Sequence, residues 1–434
     1  MLRFQTIEPD WPEKRAVELR ARDFREVYAG YAAGKAAEQA SRCSQCGVPF
    51  CQVHCPLSNN IPDWLKLTAE GRLEEAYALS QATNNMPEIC GRICPQDRLC
   101  ERNCVIEQSG HGTVTIGAIE KFLTDTAWDE GWVKPLKPKR ERPQHVAVVG
   151  AGPAGLACAE QLRLKGYKVT VFDRHDRAGG LLVYGIPNFK LEKDVVKRRV
   201  KRLADGGIKF KLNCEIGRDV PFAQLRAGYD AVFVATGAYK ARDAGIPGVP
   251  ALDYLIESNR GSRVLHAKDK DVAVIGGGDT AMDCVRTAIR QGANSVTCLY
   301  RRDRDNMPGS LREVINAEEE GVVFEWLTLP KSLGTEGVRI SRQRLGLSDA
   351  SGRRAPEEIA GADFTLKADM VIKALGFDPE PQWQAIIAQD GVFAGGDLVR
   401  GASLVVWAIR DGRVGAEKIH QYIAAKTAAL QAAE

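Results

Sequence analysis

From residue 145 onward, short apolar runs alternate with segments of helical periodicity. Five runs rich in β-branched residues predict buried parallel strands: HVAVV, KVTVFD, AVFVATG, DVAVIG and SVTCLY. Their alternation with helices predicts a doubly wound α/β fold. The order of strand, glycine-rich turn and helix occurs twice, at 145–165 and 271–291, which indicates a duplication on the scale of a domain.

The residues before this region show a different pattern. Residues 12–42 are rich in Ala, Glu, Arg and Lys with few breakers, which predicts a helix. The segment Asp63–Leu79 predicts two short helices separated at Gly71. Residues 134–144 combine prolines with charges and predict a linker, so we expect an N-terminal α-helical domain before it.

The first glycine-rich turn has the features of a dinucleotide site. Three glycines in the order G-x-G-x-x-G follow a predicted strand and begin a helix, so backbone amides face a pyrophosphate. An aspartate ends the next strand, where a carboxylate suits a ribose hydroxyl. This complete context favours a cofactor site over a purely structural turn. The candidate residues are Gly150, Gly152, Pro153, Ala154, Gly155 and Asp173.

The second turn has G-x-G-x-x-A and a different strand end. Asp279 and Thr280 are expected to cap the helix that follows. The next strand ends in two arginines without an acid, and arginine pairs with a 2′-phosphate that a carboxylate would repel. The site therefore favours NADP(H), unless both arginines are ordinary surface residues. The candidate residues are Gly276, Gly278, Asp279, Thr280, Ala281, Arg301 and Arg302.

Two dinucleotide units in one chain predict FAD together with NADPH. Two more glycine-rich strand ends fit this pair, although each alone could be a plain turn. ATG closes AVFVATG, and GGD closes GVFAGGD before a predicted helix whose amides would face the flavin ring. The candidate residues are Ala235, Thr236, Gly237, Gly396, Asp397, Ser403, Leu404 and Val405.

Eight of the twelve cysteines lie in two closely spaced quartets before the linker. The first, C-x2-C-x4-C-x3-C, spans Cys43–Cys55, and the second, C-x3-C-x5-C-x3-C, spans Cys90–Cys104. In a reducing compartment such thiols are better interpreted as metal ligands than as disulfides. A proline follows Cys55 and Cys94, and Cys-Pro is typical of 4Fe–4S segments. The quartets predict a two-cluster electron conduit, with a structural zinc module as the alternative.

Composition narrows the class of function. The N-terminus has no basic-then-apolar signal pattern, and no run of about 18 apolar residues occurs, so we expect a cytoplasmic protein without a membrane span. A net charge of +4 over 434 residues gives no support to nucleic-acid binding. The predicted cofactors carry the redox chemistry, so no side-chain nucleophile is expected.

Several segments of the chain resemble, in order, the family of small (β) subunits of bacterial NADPH-dependent glutamate synthase. They include CGRICPQDRLCERNC, GAGPAGL, GGLLVYGIPNFKL, ATGAYKAR, GGGDTAMDC, YRRDRDNMPGS, KALGFDP and FAGGDLVRGASLVVWAIRDGR. The N-terminal half of dihydropyrimidine dehydrogenase and NADPH:ferredoxin oxidoreductases are related. Relative to this family, the stretches near residues 265, 335 and 385 are short.

The resemblance implies a nested architecture of the disulfide-reductase type. The segment GGLLVYGIPNFKL would line the flavin, with Gly180, Leu181 and Pro187 near the ring and Lys190 close by. The implied domains are a helical iron–sulfur domain over 1–140, an FAD-binding domain over 141–242 and 375–434, and an NADPH-binding domain over 243–374.

The resemblance also implies that the cluster ligands cross between the quartets. Glu120 stands where the relative has glutamine, and Cys90 is the alternative eighth ligand. One cluster would take Cys43, Cys46, Cys51 and Cys104, and the other Cys55, Cys94, Cys100 and Glu120.

The implied activity is hydride transfer from NADPH to FAD, followed by single-electron transfer through two 4Fe–4S clusters to a large (α) subunit. That subunit would carry FMN and an iron–sulfur cluster and make L-glutamate from L-glutamine and 2-oxoglutarate. The alternative is a subunit of an NADPH:ferredoxin or bifurcating oxidoreductase, which shares these motifs. A disulfide reductase would need C-x-x-C beside the flavin, and the C-x2-C here, Cys43–Cys46, lies outside both dinucleotide units.

Overall fold

The structure is a computed structural model that describes residues 1–243, 245–348 and 354–433. Its N-terminal part consists of helices joined by irregular segments. Gly71, with φ +76°, separates α4 from α5, so the prediction of two short helices is confirmed. The helices are α1 (Val17–Arg20), α2 (Ala33–Ala40), α3 (Phe50–Val53), α4 (Ile61–Ala69), α5 (Leu73–Thr83), α6 (Pro87–Ile93), α7 (Val105–Gln108) and α8 (Ile116–Asp129), with 3₁₀ turns at Arg3–Gln5 and Gln96–Arg98.

The predicted helix over residues 12–42 is wrong for most of its length. Residues 21–32 contain no helix, and Lys14 forms an antiparallel bridge with Tyr28. Arg20 is almost fully buried, where it pairs with Glu319 and donates to Asn316 Oδ1 at 3.3 Å. These tertiary contacts outweigh the helix propensity of the local sequence. Residues 11–31, here called the strap, therefore run across the rest of the molecule.

The linker leads into two α/β units. The elements up to residue 241 are β1 (His145–Val149), α9 (Pro153–Leu164), β2 (Lys168–Phe172), α10 (Leu181–Tyr184), α11 (Lys193–Asp205), β3 (Lys209–Lys211), α12 (Phe222–Ala227), β4 (Ala231–Val234) and β5 (Lys240–Ala241). Next come β6 (Val249–Pro250), α13 (Ala251–Arg260), β7 (Asp271–Ile275), α14 (Asp279–Arg290), β8 (Ser295–Tyr300), α15 (Leu311–Glu319), β9 (Val323–Trp326), β10 (Thr328–Gly334), β11 (Gly337–Ser348), β12 (Arg354–Glu358), β13 (Phe364–Leu366), β14 (Met370–Lys373) and β15 (Phe377–Asp378). The last are α16 (Trp383–Ile387), β16 (Val392–Ala394), α17 (Asp397–Arg400) and α18 (Val405–Ala433).

Two five-stranded parallel sheets share one arrangement, β3-β2-β1-β4-β16 and β9-β8-β7-β14-β6. The five apolar runs form β1, β2, β4, β7 and β8, so the predicted doubly wound α/β fold is confirmed. The chain leaves the first sheet after β4 and returns to it with β16, and β5 pairs with β15 where it crosses. β10 to β13 form a separate antiparallel sheet. Both glycine turns therefore lie at the switch points of their sheets, where open α/β sheets bind ligands.

Buried charges join the helical part to the first α/β unit. The Arg199 guanidinium of α11 donates to both oxygens of Glu88 in α6, at 2.6 and 2.7 Å, and both side chains are almost fully buried. Trp128 of α8 packs against the same guanidinium at 5.5 Å. Within the described residues, no helix combines the length and apolar character that a bilayer crossing requires.

Candidate cofactor and electron-transfer sites

One cavity of about 620 Å³ lies where the helical part and the two parallel sheets meet. Its wall includes the turn after β1, the end of β4, the beginning of α14 and residues 94–97 of the helical part. Residues of the strap, among them Trp11 and Tyr28, close another side. Its size falls in the range of cofactor sites, about 300–1,000 Å³.

The turn between β1 and α9 is built to bring backbone close to a ligand. Gly150 has φ +103°, and a Cβ there would lie 2.3 Å from the carbonyl oxygen of Ala235. A Cβ at Gly155 would lie 1.9 Å from the Gly150 carbonyl oxygen, so only glycine lets α9 pack this closely. Gly152 has no neighbour within 4 Å of its Cβ position, which leaves its backbone accessible from the cavity. This is the arrangement that a pyrophosphate requires.

Polar groups along this wall also fit a flavin dinucleotide. The Asp173 carboxylate is fixed by the amides of Ala151, at 2.7 Å, and His175, at 2.9 Å, and it faces the cavity. The Thr236 hydroxyl is buried and has no hydrogen-bond partner among the described residues, although its side chain lines the cavity. Burial raises the pKa of Asp397, which accepts a hydrogen bond from Ser403 at 2.6 Å.

Most of the flavin candidates line this one cavity. Gly155 and Pro187 do not; both are buried in the packing behind it. Those that line it are Gly150, Gly152, Pro153, Ala154, Asp173, Gly180, Leu181, Lys190, Ala235, Thr236, Gly237, Gly396, Asp397, Ser403, Leu404 and Val405.

The second turn has the same blocked first glycine and open second glycine as the first turn. Gly276 has φ +140°, and a Cβ there would lie 2.3 Å from the Ala374 carbonyl oxygen, while Gly278 faces open space. The prediction that Asp279 and Thr280 cap α14 is wrong, because Gly278 is the N-cap and no side chain caps it. The Asp279 carboxylate instead accepts the Ser310 amide at 2.8 Å. Asp279 and Thr280 both line the cavity, so the helix begins at its wall.

The two arginines after β8 have different surroundings. Arg301 is exposed, whereas Arg302 is buried and its Nε donates to the Arg354 carbonyl at 2.8 Å. Neither lines the cavity, nor do Gly276, Gly278 and the buried Ala281. Because β7 and β8 are parallel neighbours, both arginines follow a strand end on the same edge as the second turn.

A buried charge cluster between the sheets was missed by the sequence analysis. Lys190 Nζ lies 2.9 Å from Asp283 Oδ1 and 3.5 Å from Glu313 Oε2, and all three line the cavity. Burial raises the pKa of Asp283 to about 6 although Lys190 opposes it. Burial acts on Glu313 in the same direction, but Lys190 and Arg286 together lower its pKa to about 2. The available signal was that Asp283 follows Asp279 by one helical turn and so shares its face.

The structure brings Cys104 to the first quartet. Cys43, Cys46, Cys51 and Cys104 line one small cavity, which Leu65 and Val105 help to close. The side chain of Gln45 donates to Cys43 Sγ at 3.3 Å. Burial raises the pKa of Cys51 to about 12, and the charges of Cys104 and Cys43 add to that shift. Such thiols stay protonated unless a cation replaces their protons.

The other four cysteines of the quartets form a second group beside buried Glu120; Cys90 and Cys100 are buried, and Cys55 and Cys94 are half-buried. Burial raises the pKa of Cys94, and the charges of Cys55 and Glu120 contribute further. Burial also raises the pKa of Cys100, and the charges of Glu101 and Cys94 raise it further. Burial also raises the pKa of Glu120 to about 8. Cys90 is buried beside the same group, since its pKa responds to Cys94 and Glu120, so the structure leaves both candidate ligands in place.

The thiols of the first group surround a small cavity. All twelve cysteines are free. Within the described ranges, no three Cys, His, Asp or Glu side chains converge closely enough to hold one metal ion. A structural zinc takes four donors at about 2.0–2.3 Å, whereas an iron–sulfur cluster is bound by thiolates around its outside. Both kinds of site need several thiols within reach of one another, which the small cavity provides for Cys43, Cys46, Cys51 and Cys104.

Apolar side chains are exposed around the first group. Val48 is 63% exposed, Phe50 41%, Val53 62% and Val105 37%. They stand beside Cys46, Cys51 and Cys104 in sequence and are here called the apolar patch. A cluster of exposed large apolar residues of this kind marks an interaction surface.

Two families match most of the chain between them. Residues 20–132 match a family described as dihydropyrimidine dehydrogenase domain II, 4Fe-4S cluster. Residues 144–412 match the pyridine nucleotide-disulphide oxidoreductase family. The border between the two matches falls within the predicted linker region.

Two glutamate synthase small chains match this chain over nearly the whole length of both sequences. The chain is 60% identical to the glutamate synthase (NADPH) small chain of Azospirillum brasilense, over 99% of this chain and 98% of the relative. It is 46% identical to the glutamate synthase (NADPH) small chain of Escherichia coli K12, over 95% and 96%. Among solved structures it resembles Mycobacterium tuberculosis FprA in complex with NADPH, with a TM-score of 0.58 and 20% identity over 66% of this chain and 86% of FprA. That last likeness concerns the fold alone.

Replacing Lys190 by Met should destabilise the protein in a pH-dependent way. Without the ammonium, the pKa of Asp283 rises further above its unfolded value, while the pKa of Glu313 rises from about 2 toward its unfolded value. A protein that holds an acid at a raised pKa loses stability as the pH increases from the unfolded pKa of that acid toward its folded pKa. The deficit in melting temperature against wild type should therefore be larger at pH 8 than at pH 5. Lys201→Met, which removes an exposed pair with Asp205, is the control; equal deficits at both pH values would contradict the assignment.

Proposed function

The chain belongs to the family of glutamate synthase (NADPH) small chains, and from that membership we propose that it is the electron-input chain of a glutamate synthase. It is an NADPH-dependent oxidoreductase that uses FAD, NADPH and iron–sulfur cofactors. The observation that carries the proposal is the single cavity lined by the first dinucleotide turn, by Asp279 and Thr280 at the start of α14, and by Cys94. A path for electrons from a nicotinamide to a cluster needs this continuity.

The bound cofactors supply hydride transfer and single-electron transfer, and the protein supplies binding and orientation. In this proposal the amides at the start of α9 hold the FAD pyrophosphate, and Asp173 takes a ribose hydroxyl. The unpartnered Thr236 hydroxyl and the fixed Asp397 carboxylate offer further polar contacts along the same wall. Lys190 brings a positive charge to the cavity, held there by Asp283 and Glu313.

NADPH is proposed to bind across the second turn. The first residues of α14, Asp279 and Thr280, lie on the cavity wall, so the positive end of that helix faces the pyrophosphate. Arg301 is the better candidate for the 2′-phosphate, since it is exposed while Arg302 is buried against Arg354. The strap closes this side of the cavity and limits the access of water.

We propose that electrons leave through the second cysteine group and then the first. Cys94 of the second group lines the main cavity, and Phe50 and Val105 of the apolar patch line the small cavity of the first group. The small-chain family implies a large chain as partner, and the apolar patch is the face we assign to it. That partner is expected to carry FMN and an iron–sulfur cluster and to form L-glutamate from L-glutamine and 2-oxoglutarate.

The function is tested by reconstitution with a large glutamate synthase chain. Alone, this chain should reduce an artificial dye with NADPH but make no L-glutamate; together the two chains should convert L-glutamine and 2-oxoglutarate. Val53→Asp should abolish L-glutamate formation and leave dye reduction unchanged, because a charge in the apolar patch opposes docking. Val264→Asp, at an exposed position outside the patch, should change neither. Failure to bind the large chain, with ready reduction of ferredoxin, would favour the alternative oxidoreductase.

Arg301→Ala should raise the KM for NADPH about tenfold or more, with little effect on the KM for NADH. A hydrogen bond to a charged group contributes about 1.5–3 kcal/mol, and each 1.4 kcal/mol is about a factor of ten. Steady-state kinetics with both nucleotides measures this difference. Arg218→Ala, another exposed arginine, is the control. An equal effect on both nucleotides would remove the phosphate-binding role.

The crossed cluster ligands predict which cysteine variants behave alike. Cys104→Ser and Cys43→Ser should each lose about half of the iron and the same EPR signal, because both bind the first cluster. Glu120→Ala should lose the other signal, and Cys90→Ser should keep both. Iron, acid-labile sulfide and EPR spectra measure the outcome. Loss of different signals in the Cys43 and Cys104 variants would contradict the crossing, and zinc without sulfide would contradict both clusters.

A further inference from the structure

A short segment, Pro308–Arg312, is packed between the second glycine turn and the loop that carries Cys100. On the side of the turn, the Gly309 amide donates to the Gly277 carbonyl at 2.9 Å. The Ser310 amide donates to the Asp279 carboxylate at 2.8 Å. The segment is therefore bonded to the turn on which the nicotinamide dinucleotide is proposed to lie.

The same segment is bonded to the helical part on its other side. The loop concerned, residues 95–101, is here called the cluster loop. The Ser310 hydroxyl donates to Asp97 Oδ2 at 2.9 Å, and Arg98 donates to the Pro308 carbonyl. Arg312 pairs with Glu101.

The bonds continue from the cluster loop to the helix that bears Glu120. Glu101 Oε1 accepts the amide of Gly117 in α8 at 3.0 Å, and Glu120 lies one turn further along that helix. Asp97 lies midway between Cys94 and Cys100 in the chain. Any displacement of the loop thus changes the charges and hydrogen bonds around the second cysteine group.

The joint between the two sides has little freedom. Ser310 is 6% exposed and Glu101 1% exposed. A Cβ at Gly309 would lie 3.1 Å from the Gly277 carbonyl oxygen, so the two backbones are in close contact. Close-packed interiors transmit displacement rather than absorb it. At the same time Asp279, Ser310 and Asp97 all line the cavity, within reach of a ligand there.

We propose that Ser310 is a positioning residue that couples occupancy of the nicotinamide-dinucleotide turn to the reduction potential of the second cluster. The inference rests on the proposed function. A bound dinucleotide brings negative charge beside Asp279, and the hydrogen bonds of Ser310 carry its effect to Asp97. Local charge and hydrogen bonding set the potential of an iron–sulfur cluster, so bound NADP⁺ lowers it.

Linkage gives this coupling a use in the catalytic cycle. If NADP⁺ disfavours reduction of the second cluster, then reduction of that cluster weakens the binding of NADP⁺ by the same factor. Passage of an electron into the cluster therefore promotes release of the oxidised nucleotide. The protein would in this way keep NADP⁺ bound until an electron has reached the second cluster.

The test is an EPR-monitored redox titration of the full chain loaded with its flavin and clusters, with and without saturating NADP⁺. In wild type, NADP⁺ should lower the ratio of reduced to oxidised second cluster at fixed potential by about fivefold, a typical size for coupling between sites. Ser310→Ala should lose most of this shift. Ser295→Ala removes a Ser–Asp hydrogen bond of 2.8 Å at the opposite end of β8 and should keep it. Asp97→Asn, which keeps the shape and removes the charge, should also lose it.

Binding of NADP⁺ is followed in the same samples by the change in flavin absorbance. A bound nucleotide that leaves the cluster ratio of wild type unchanged would overturn the inference while the proposed function stands. If both Ser310→Ala and Asp97→Asn kept the full shift, the charge of NADP⁺ would act on the cluster directly through space. That result would also overturn the inference. Absence of NADP⁺ binding would overturn the proposed function itself, and the coupling with it.

Discussion

Buried charges at the borders between the three parts hold the cavity in shape. The Arg199–Glu88 pair fixes the helical part on the first α/β unit, and Arg20 anchors the strap to the end of α15. Lys190 reaches from the first unit to Asp283 in the second. Removing one partner of a buried pair leaves an uncompensated charge and costs about 3–5 kcal/mol. Sliding one part against another would break such pairs, so the walls of the cavity keep their relative positions.

The same principle explains the chemistry of the cysteine groups. Burial raises the pKa of Cys94 and of Cys51, and neighbouring acids or thiols raise it further. Because nearby acids and thiols add to the effect of burial, ionising several of these thiols together costs free energy unless a cation is added. At these thiols, a bound iron–sulfur cluster would take the place of the protons and supply positive charge. In the proposed function, the clusters would therefore stabilise the helical part electrostatically as well as by ligation.

Sequence patterns predicted what depends on local periodicity and on backbone sterics. The strand runs and both glycine turns were found because parallel strands and pyrophosphate turns constrain neighbouring residues. The strap was predicted to be helical, since its burial partners, such as Glu319, lie hundreds of residues away and leave no local signal. For the same reason the Asp279 carboxylate was assigned to capping, although it accepts the distant Ser310 amide. The partners of Lys190 were missed because they lie on α14 and α15, in the other α/β unit.

The position of the strap and the cluster loop gives the electron path its direction. The turn after β1, the start of α14 and Cys94 line one cavity that the strap closes on one side, while the first cysteine group lies beside exposed Phe50 and Val105. An electron that leaves at the exposed apolar surface must pass to a partner protein bound there. An electron that moves within the cavity needs no partner. In the proposed electron path, the second group is therefore the internal acceptor and the first group the donor to the partner. The proposed coupling through Ser310 acts on this internal acceptor. It links the reduction of the second cluster to the binding of the nucleotide that supplied the electrons.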